Sequence, residues 1–164
     1  MVRELCHKYD IILLQEHWLL KGNLCTLASI DNDLAYCAVS SMTNKASLNI
    51  LSDRPFGGIA ILWRKNLFNF IIISSKDEDT CRFISTTINN YFNQSLVISC
   101  AYVHCFVNKL DYLVDDSAVI ACIVNVLALN NNCWHVVGGD FNFDCAPFNN
   151  NFGYSIFADV ILDY

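Results

Sequence analysis

Two polar side chains follow a short apolar run in the segment WHVVGGDFN, residues 134–142. Asp140 and Asn142 stand two positions apart, so on an extended segment their side chains point to the same side. Gly138 and Gly139 precede them and would let the backbone approach a site closely, where any Cβ would crowd it. A carboxylate and an amide placed in this way could form a reaction centre, or could close the strand with an Asx turn.

Three further polar features stand at the ends of apolar runs. Glu16 follows IILLQ, the pair Gly57–Gly58 precedes IAILW, and Tyr102 lies near the end of LVISCAYV. A carboxylate at a strand end suits a hard divalent cation, because the strand fixes its position and the next loop leaves it open to water. Taken singly, Glu16 could equally be a surface residue and Tyr102 a core residue with a satisfied hydroxyl.

The elements that must position these residues follow from the spacing of apolar side chains. Helical spacing predicts helices over 1–9, 110–130 and 154–162. Apolar runs of strand length occupy residues 11–15, 34–39, 58–63, 68–74, 82–88, 96–103 and 134–137. We expect the first of these strands to be buried on both faces, the four from 58 to 103 to form an antiparallel meander, and the polar stretch 40–55 to be a mobile surface loop. Helices at both ends of such a meander predict an α/β (α+β) layered sandwich.

Composition limits the class of protein. A chain of 164 residues with 54% apolar and 16% charged residues is expected to be one globular domain, residues 1–164. The net charge of -6 argues against nucleic acid binding that depends on overall electrostatic attraction to the phosphates, although a divalent cation could supply positive charge at a site. The apolar stretch 117–129 is too short to span a bilayer, and the N-terminus lacks the apolar core of a secretory signal. We therefore expect an intracellular protein, nuclear or cytoplasmic, without a membrane span.

The cysteines give no sign of a metal site. Nine cysteines is an odd count, and no CxxC pair occurs. Free, mostly buried thiols in a reducing compartment fit this pattern better than disulfides or zinc, which would need paired short spacings. His104 and Cys105 are neighbours, but adjacent residues on a strand point to opposite faces and do not form a nucleophilic dyad.

The motifs LLQE, GGIAILW, ISCAYV and GGDFN, in this order, resemble those of the endonuclease/exonuclease/phosphatase superfamily, which has the DNase I-like fold. The segments LQEHW and GGIAILWRKNL are most similar to the endonuclease domain at the front of non-LTR (LINE-type) retrotransposon polyproteins. The resemblance runs from about Tyr9 to Asn142. It implies a four-layer β-sandwich with flanking helices, of which this chain carries mainly the first half.

The resemblance also implies metal-dependent phosphodiester hydrolysis with DNA as substrate. In that chemistry Mg²⁺ or Mn²⁺ stabilises charge on the scissile phosphate while water attacks in line. By its place in the motifs, Glu16 corresponds to the metal ligand and Asp140 to the residue that orients or deprotonates the water. Asn142 and Tyr102 correspond to residues that contact the phosphate.

The sequence departs from the family pattern at both ends. Family members carry an asparagine on a strand before LQE and a Ser-Asp-His segment near the end, whereas the last histidine here is His135, which we interpret as a strand residue. His104 also stands where the family usually has proline. We expect an incomplete domain that is inactive alone and self-associates through uncovered sheet surface. Three alternatives remain open: a non-catalytic remnant, an interaction module with the same half of the fold, and a phosphomonoesterase of the same superfamily. The motifs that the superfamily shares do not specify the substrate.

Overall fold

The computed structural model describes residues 2–42, 57–77, 79–91, 93–103 and 110–142. Its strands are β1 Ile11–Gln15, β2 Leu34–Val39, β3 Ile59–Arg64, β4 Ile71–Lys76, β5 Phe83–Tyr91, β6 Gln94–Tyr102 and β7 Trp134–Asp140. Its α-helices are α1 Val2–Cys6 and α2 Leu110–Leu129, and 3-10 helices cover Lys21–Ser29 and Lys65–Phe70. The helix predicted over 154–162, most of the loop predicted over 40–55, and the His104–Cys105 pair lie outside the described residues.

The strands form two sheets. The first has the order β1-β3-β2 with both pairs antiparallel, and the second has the order β4-β5-β6-β7. In the second sheet β4, β5 and β6 are antiparallel neighbours, whereas β7 is parallel to β6. The helix α2 makes the crossover between β6 and β7 that a parallel pair requires.

One expectation about the strands was wrong and another holds in part. The meander comprises only β4, β5 and β6, because β3 pairs with β1 and β2 instead. The strand β1 packs against apolar residues on both faces, but of its residues only Ile12 is buried and the others are half-buried; among the described strands it pairs with β3 alone. The central β3 has the all-buried pattern from Ile59 to Trp63. Apolar runs predict strands, but they do not reveal which strand becomes central.

The two sheets pack face to face between helical layers. The core between the sheets contains Cys37, Val39, Ile59, Ile61 and Trp63 from the first sheet and Ile84 and Cys100 from the second. The outer face of the first sheet packs on α1 and the first 3-10 helix through Cys6 and Leu27. The outer face of the second sheet packs on α2 through Val119, Ile123 and Val126. These four layers confirm the predicted α+β sandwich, and each fully buried aliphatic side chain stabilises it by about 1.5–3 kcal/mol.

One rim of the sandwich collects the ends of five strands. Since β1 and β2 are both antiparallel to β3, they run in the same direction and end beside the start of β3. The strands β4, β6 and β7 also run in one direction, so their carboxyl ends lie together at one end of the second sheet. We call the edge formed by Glu16, Ser40, Lys76, Tyr102 and Asp140 the carboxyl rim.

The described residues also bear on three expectations from composition. No helix among them is long and apolar enough to cross a membrane. The seven cysteines in these ranges are free, but only Cys6, Cys37 and Cys100 are buried, fewer than expected. On β7, which ends the second sheet, Trp134 is 62% exposed and Val136 is 50% exposed. Self-association through this surface stays a prediction.

Candidate active site

Glu16 follows β1 directly and begins a loop with an unusual backbone. Glu16 and Trp18 have φ of 52° and 58°, a left-handed conformation that bulky residues rarely adopt. Two backbone hydrogen bonds hold it, from the N–H of His17 to the Gly58 oxygen at 3.3 Å and from the N–H of Trp18 to the Gly57 oxygen at 3.1 Å. The glycine pair that precedes β3 therefore anchors the loop that carries the candidate metal ligand.

His17 stabilises the conformation of the same loop, although the sequence motifs did not identify His17 as a functional residue. Its Nε2 lies 2.9 Å from the carbonyl oxygen of Val39, and its Nδ1 accepts the N–H of Leu19 at 3.0 Å. The ring is therefore neutral, with the proton on Nε2. A Cβ on Gly58 would stand 2.4 Å from the ring, so glycine is required there both for space and for its φ of 84°. The only sequence signal was the position of His17 beside Glu16.

We expect the stability of the protein to fall as pH drops below 6.5, and His17 to be one cause. Burial lowers the pKa of His17 from its ordinary 6.5, so the unfolded chain takes up a proton at a higher pH than the folded chain does. The His17 contribution is therefore complete above pH 6.5 and is lost as pH falls through the folded-state pKa. Thermal melts between pH 7.5 and 5 should show a smaller fall in Tm for His17→Gln.

The matched control is His7→Gln, which removes an imidazole at the opposite end of the first sheet, before β1. An unchanged pH dependence in His17→Gln would show that the loop does not depend on the neutral imidazole.

Tyr102, at the end of β6, joins the two sheets at the carboxyl rim. Its hydroxyl donates a hydrogen bond of 2.8 Å to Oε1 of Glu16. Burial, the hydrogen bond to Glu16 and the negative charges of Glu16 and Asp140 raise the pKa of Tyr102 to about 12, against the opposing charge of Arg82. The phenol is therefore protonated at neutral pH and acts as a donor.

Arg82 also belongs to this part of the rim. Its guanidinium lies 5.9 Å from the centroid of the Tyr102 ring and forms an ion pair with Asp116 of α2 at 3.5 Å. The backbone N–H of Tyr102 donates to the Arg82 oxygen at 3.0 Å. Arg82 thus ties the tyrosine to the helical layer behind it. Sequence reasoning did not single it out, because an arginine at the start of a strand has no distinctive spacing.

Asp140 ends β7 and is the register partner of Tyr102 on β6. Paired residues of a sheet point to the same face, so the carboxylate and the phenol share one side. The N–H of Asn142 donates to Oδ1 of Asp140 at 3.0 Å, which is the Asx turn considered from the sequence. The Asn142 side chain donates to the Val103 oxygen at 2.8 Å. Its Nδ2 has a second hydrogen to offer a ligand.

The two glycines before Asp140 serve strand packing. A Cβ on Gly139 would lie 1.9 Å from the carbonyl oxygen of Ala101 on β6, and one on Gly138 would lie 2.5 Å from Cδ1 of Leu13 on β1. The glycines therefore let β7 lie close to β6 in its own sheet and to β1 in the facing sheet, and they set the position of Asp140. The sequence suggested close approach to a site, whereas the structure shows close approach between strands.

The residues of the rim fit a sparsely liganded divalent cation. Glu16 and Asp140 are exposed carboxylates, and the Tyr102 hydroxyl engages one oxygen of Glu16. Mg²⁺ is commonly held by one or two carboxylates, with waters and substrate phosphates as its other ligands. No group of three or more His, Cys, Asp and Glu side chains that could hold a metal occurs within the described ranges.

The structure thus brings Glu16, Tyr102, Asp140 and Asn142 to one rim. His135 lies elsewhere, with its Nε2 2.9 Å from the carbonyl oxygen of Asn130, in keeping with its interpretation as a strand residue. The second amide hydrogen of Asn142 and the nearby guanidinium of Arg82 can attract an anionic oxygen, and the carboxylates can bind a cation or accept a hydrogen bond from a water molecule beside it.

Comparison with known proteins identifies the family and the fold of this chain. A model of the Endonuclease/Exonuclease/phosphatase family matches residues 1–159. No curated protein matches the chain significantly. The similar solved structures include a 3′ phosphatase from Neisseria, NExo, bound to product DNA hairpin, with a TM-score of 0.64 and 14% identity over 99% of this chain and 64% of that chain.

Two other solved structures are similar to the same degree. An AP endonuclease from Archaeoglobus fulgidus has a TM-score of 0.63 and 12% identity over 99% of this chain and 64% of that chain. The human Nocturnin catalytic domain with bound sulfate has a TM-score of 0.62 and 15% identity, covering 96% of this chain and 59% of that chain. The chain therefore spans about three fifths of the length of these proteins, and the likeness shows the shared DNase I-like fold.

Proposed function

The chain belongs to the endonuclease/exonuclease/phosphatase family, and on that basis we propose that it is a divalent-metal-dependent phosphodiester hydrolase that acts on DNA. The observation that carries the proposal is the 2.8 Å hydrogen bond from the Tyr102 hydroxyl to Glu16. It joins β1 of one sheet to β6 of the other at the rim where Asp140 also lies. A carboxylate, a donor and a second carboxylate are thereby assembled from distant parts of the chain.

Each of the four residues has a role that its contacts support. Glu16 would hold Mg²⁺ or Mn²⁺, which when bound supplies positive charge beside the scissile phosphate. The Tyr102 phenol orients Glu16 and stays protonated. Asp140 orients the attacking water or accepts its proton. Asn142 donates its second amide hydrogen to a phosphate oxygen, while the first holds the Val103 carbonyl.

DNA as the substrate agrees with the chemistry of the rim and with the fold. One structure of the same fold, NExo, is bound to product DNA hairpin. With a net charge of -6 the chain should bind DNA weakly and with strong salt dependence, so that affinity depends on a few local positive groups.

A narrower proposal is that the chain derives from a non-LTR (LINE-type) retrotransposon endonuclease, is intracellular, and has low activity as an isolated polypeptide. The support is the similarity of two segments, LQEHW and GGIAILWRKNL, to that endonuclease domain. Genomic DNA around the reading frame tests the origin. Translation upstream should give a strand with asparagine, and translation downstream should give Ser-Asp-His followed by a reverse transcriptase.

Replacing Tyr102 by phenylalanine should lower Mg²⁺-dependent nicking of supercoiled plasmid by about 10- to 100-fold. The reason is the loss of a hydrogen bond to a charged group, which is worth about 1.5–3 kcal/mol. Gel quantification of open-circular DNA measures the rate, with Tyr9→Phe as the matched control. Tyr9 is 56% exposed and precedes β1 at the far end of the sheet, so its substitution should leave nicking unchanged.

Other outcomes decide between the alternatives. Nicking that persists in EDTA, or that is equal in Tyr102→Phe, would contradict the proposed site. No nicking by the unmodified chain would favour the non-catalytic remnant. Release of phosphate from a 3′-phosphorylated oligonucleotide without nicking would favour the phosphomonoesterase, the activity named for NExo.

A further inference from the structure

A cavity of about 180 Å³ opens on the carboxyl rim beside the candidate active site. It lies between the end of β2 in the first sheet and the β4–β5 connection in the second. The polar residues that line it include Lys21, Lys76, Ser41, Thr80 and Asp79. None of these residues has a role in the reaction proposed above.

The cavity is separated from Glu16 by the width of two strands. In the first sheet β3 lies between β1, which ends at Glu16, and β2, which ends beside the cavity. Neighbouring strands are about 4.8 Å apart, so the cavity is about 10 Å from Glu16 along the rim. The loop from Glu16 to Lys21 connects the two places, and the Ser40 hydroxyl holds it by donating to the Leu19 oxygen at 2.6 Å.

The charges of the lining favour an anion. Two lysines contribute positive charge and Asp79 contributes one negative charge, while the carboxylate of Asp77 beside the lining accepts two backbone N–H groups and the Thr80 hydroxyl. The lysines come from opposite walls, Lys21 from the 3-10 helix on the first sheet and Lys76 from the end of β4. Burial raises the pKa of the Cys37 thiol in the neighbouring core, and the charge of Lys76 opposes this effect.

The hydroxyl groups of Thr80 and Ser41 differ in whether their hydrogen is already donated within the protein. Thr80 donates its hydroxyl hydrogen to Asp77. The Oγ of Ser41 instead accepts the N–H of Gly58 at 3.0 Å, so its own hydrogen is left for a ligand. The same contact joins the cavity wall to the glycine pair that anchors the Glu16 loop. A small anion in the cavity would thus meet two ammonium groups and one hydroxyl donor.

We propose that this cavity binds a backbone phosphate of the DNA strand, at a distance from the scissile phosphate. The proposal rests on the function proposed above. A separation of about 10 Å along the rim places this phosphate within a few nucleotides of the scissile phosphate. A phosphate held there fixes the direction in which the strand crosses the rim, and it gives an acidic protein a local positive group for its substrate.

Fluorescence anisotropy of the full chain with a labelled 12-nucleotide single strand in EDTA tests this site without hydrolysis. The double variant Lys21→Gln with Lys76→Gln should bind about tenfold more weakly at low salt, equivalent to about 1.4 kcal/mol. The slope of log affinity against log salt should fall by about 0.7, the contribution of one phosphate of a single strand. The double variant Lys8→Gln with Lys65→Gln removes the same charge at the opposite end and should change neither.

Equal salt slopes in the two double variants would overturn the proposal, as would an unmodified chain that binds no oligonucleotide. Titration with inorganic phosphate separates the two sources of the anion. If Lys21→Gln with Lys76→Gln weakens binding of inorganic phosphate but not of the oligonucleotide, the cavity is a site for free phosphate and the proposal fails. Mg²⁺-dependent cleavage of a small aryl phosphodiester, which does not reach the cavity, reports on the proposed function independently.

Discussion

Replacing Asp140 by asparagine is expected to lower plasmid nicking by about 100- to 10,000-fold, the range that a positioned general base contributes. Asparagine keeps the size of the side chain and the oxygen that accepts the N–H of Asn142, so the turn after β7 should survive. The substitution removes the negative charge and the ability to take a proton from water. Rates of open-circular DNA formation at saturating Mg²⁺ measure the effect.

The matched control for this change is Asp33→Asn. Asp33 is exposed and its backbone oxygen accepts the N–H of Lys65 at the opposite end of the first sheet, so the substitution removes the same charge far from the rim. Equal nicking by Asp140→Asn and the unmodified chain would exclude Asp140 as the base. A thermal melt of each variant should show less than a few degrees of change, which separates lost chemistry from lost folding.

The second large effect is expected on stability, from Gly139→Ala. The added Cβ would lie 1.9 Å from the carbonyl oxygen of Ala101, a backbone atom of the neighbouring strand that cannot turn away as a side chain does. Either β7 moves from β6 or the pairing of Tyr102 with Asp140 is lost. Overpacking of this kind typically costs about 1–3 kcal/mol, and the rigid neighbour places this case near the upper value. Urea denaturation measures the free energy of unfolding.

Gly22→Ala is the matched control, because a Cβ at Gly22 meets no atom within 4 Å. This substitution should leave stability unchanged or raise it by about 0.5 kcal/mol through the unfolded chain. If Gly139→Ala were as stable as Gly22→Ala, the close parallel pairing of β6 and β7 would be wrong, and with it the position of Asp140 beside Tyr102.

The elements of the fold were largely predictable, because strand and helix periodicity is local. The runs that become β2, β3, β6 and α2 were predicted within about two residues at each end. The run at 68–74 was less exact, since β4 begins at Ile71 and residues before it form a 3-10 helix. Pairing was not predictable from these runs. The buried pattern of β3 suits a central strand of either sheet, and only packing decides that it lies between β1 and β2.

The candidate site divides in the same way. Glu16, Tyr102, Asp140 and Asn142 were identified because their motifs stand at strand ends, and motifs are local. His17, Ser41 and Arg82 were missed because their roles arise from contacts with residues far along the chain. His17 reaches Val39, Ser41 accepts the N–H of Gly58, and Arg82 approaches Tyr102 and Asp116.

From the sequence alone, the spacing of apolar residues predicted a layered α+β domain, and the resemblance of four motifs to this family identified the carboxylates, phenol and amide that are candidates for its chemistry, because both signals are local. Only the tertiary structure decided that Tyr102 donates to Glu16, a residue 86 positions away. It also decided that Asp140 stands beside Tyr102 and that the glycines before it serve strand packing. The physical reason is that register and close approach between strands depend on the whole packed core.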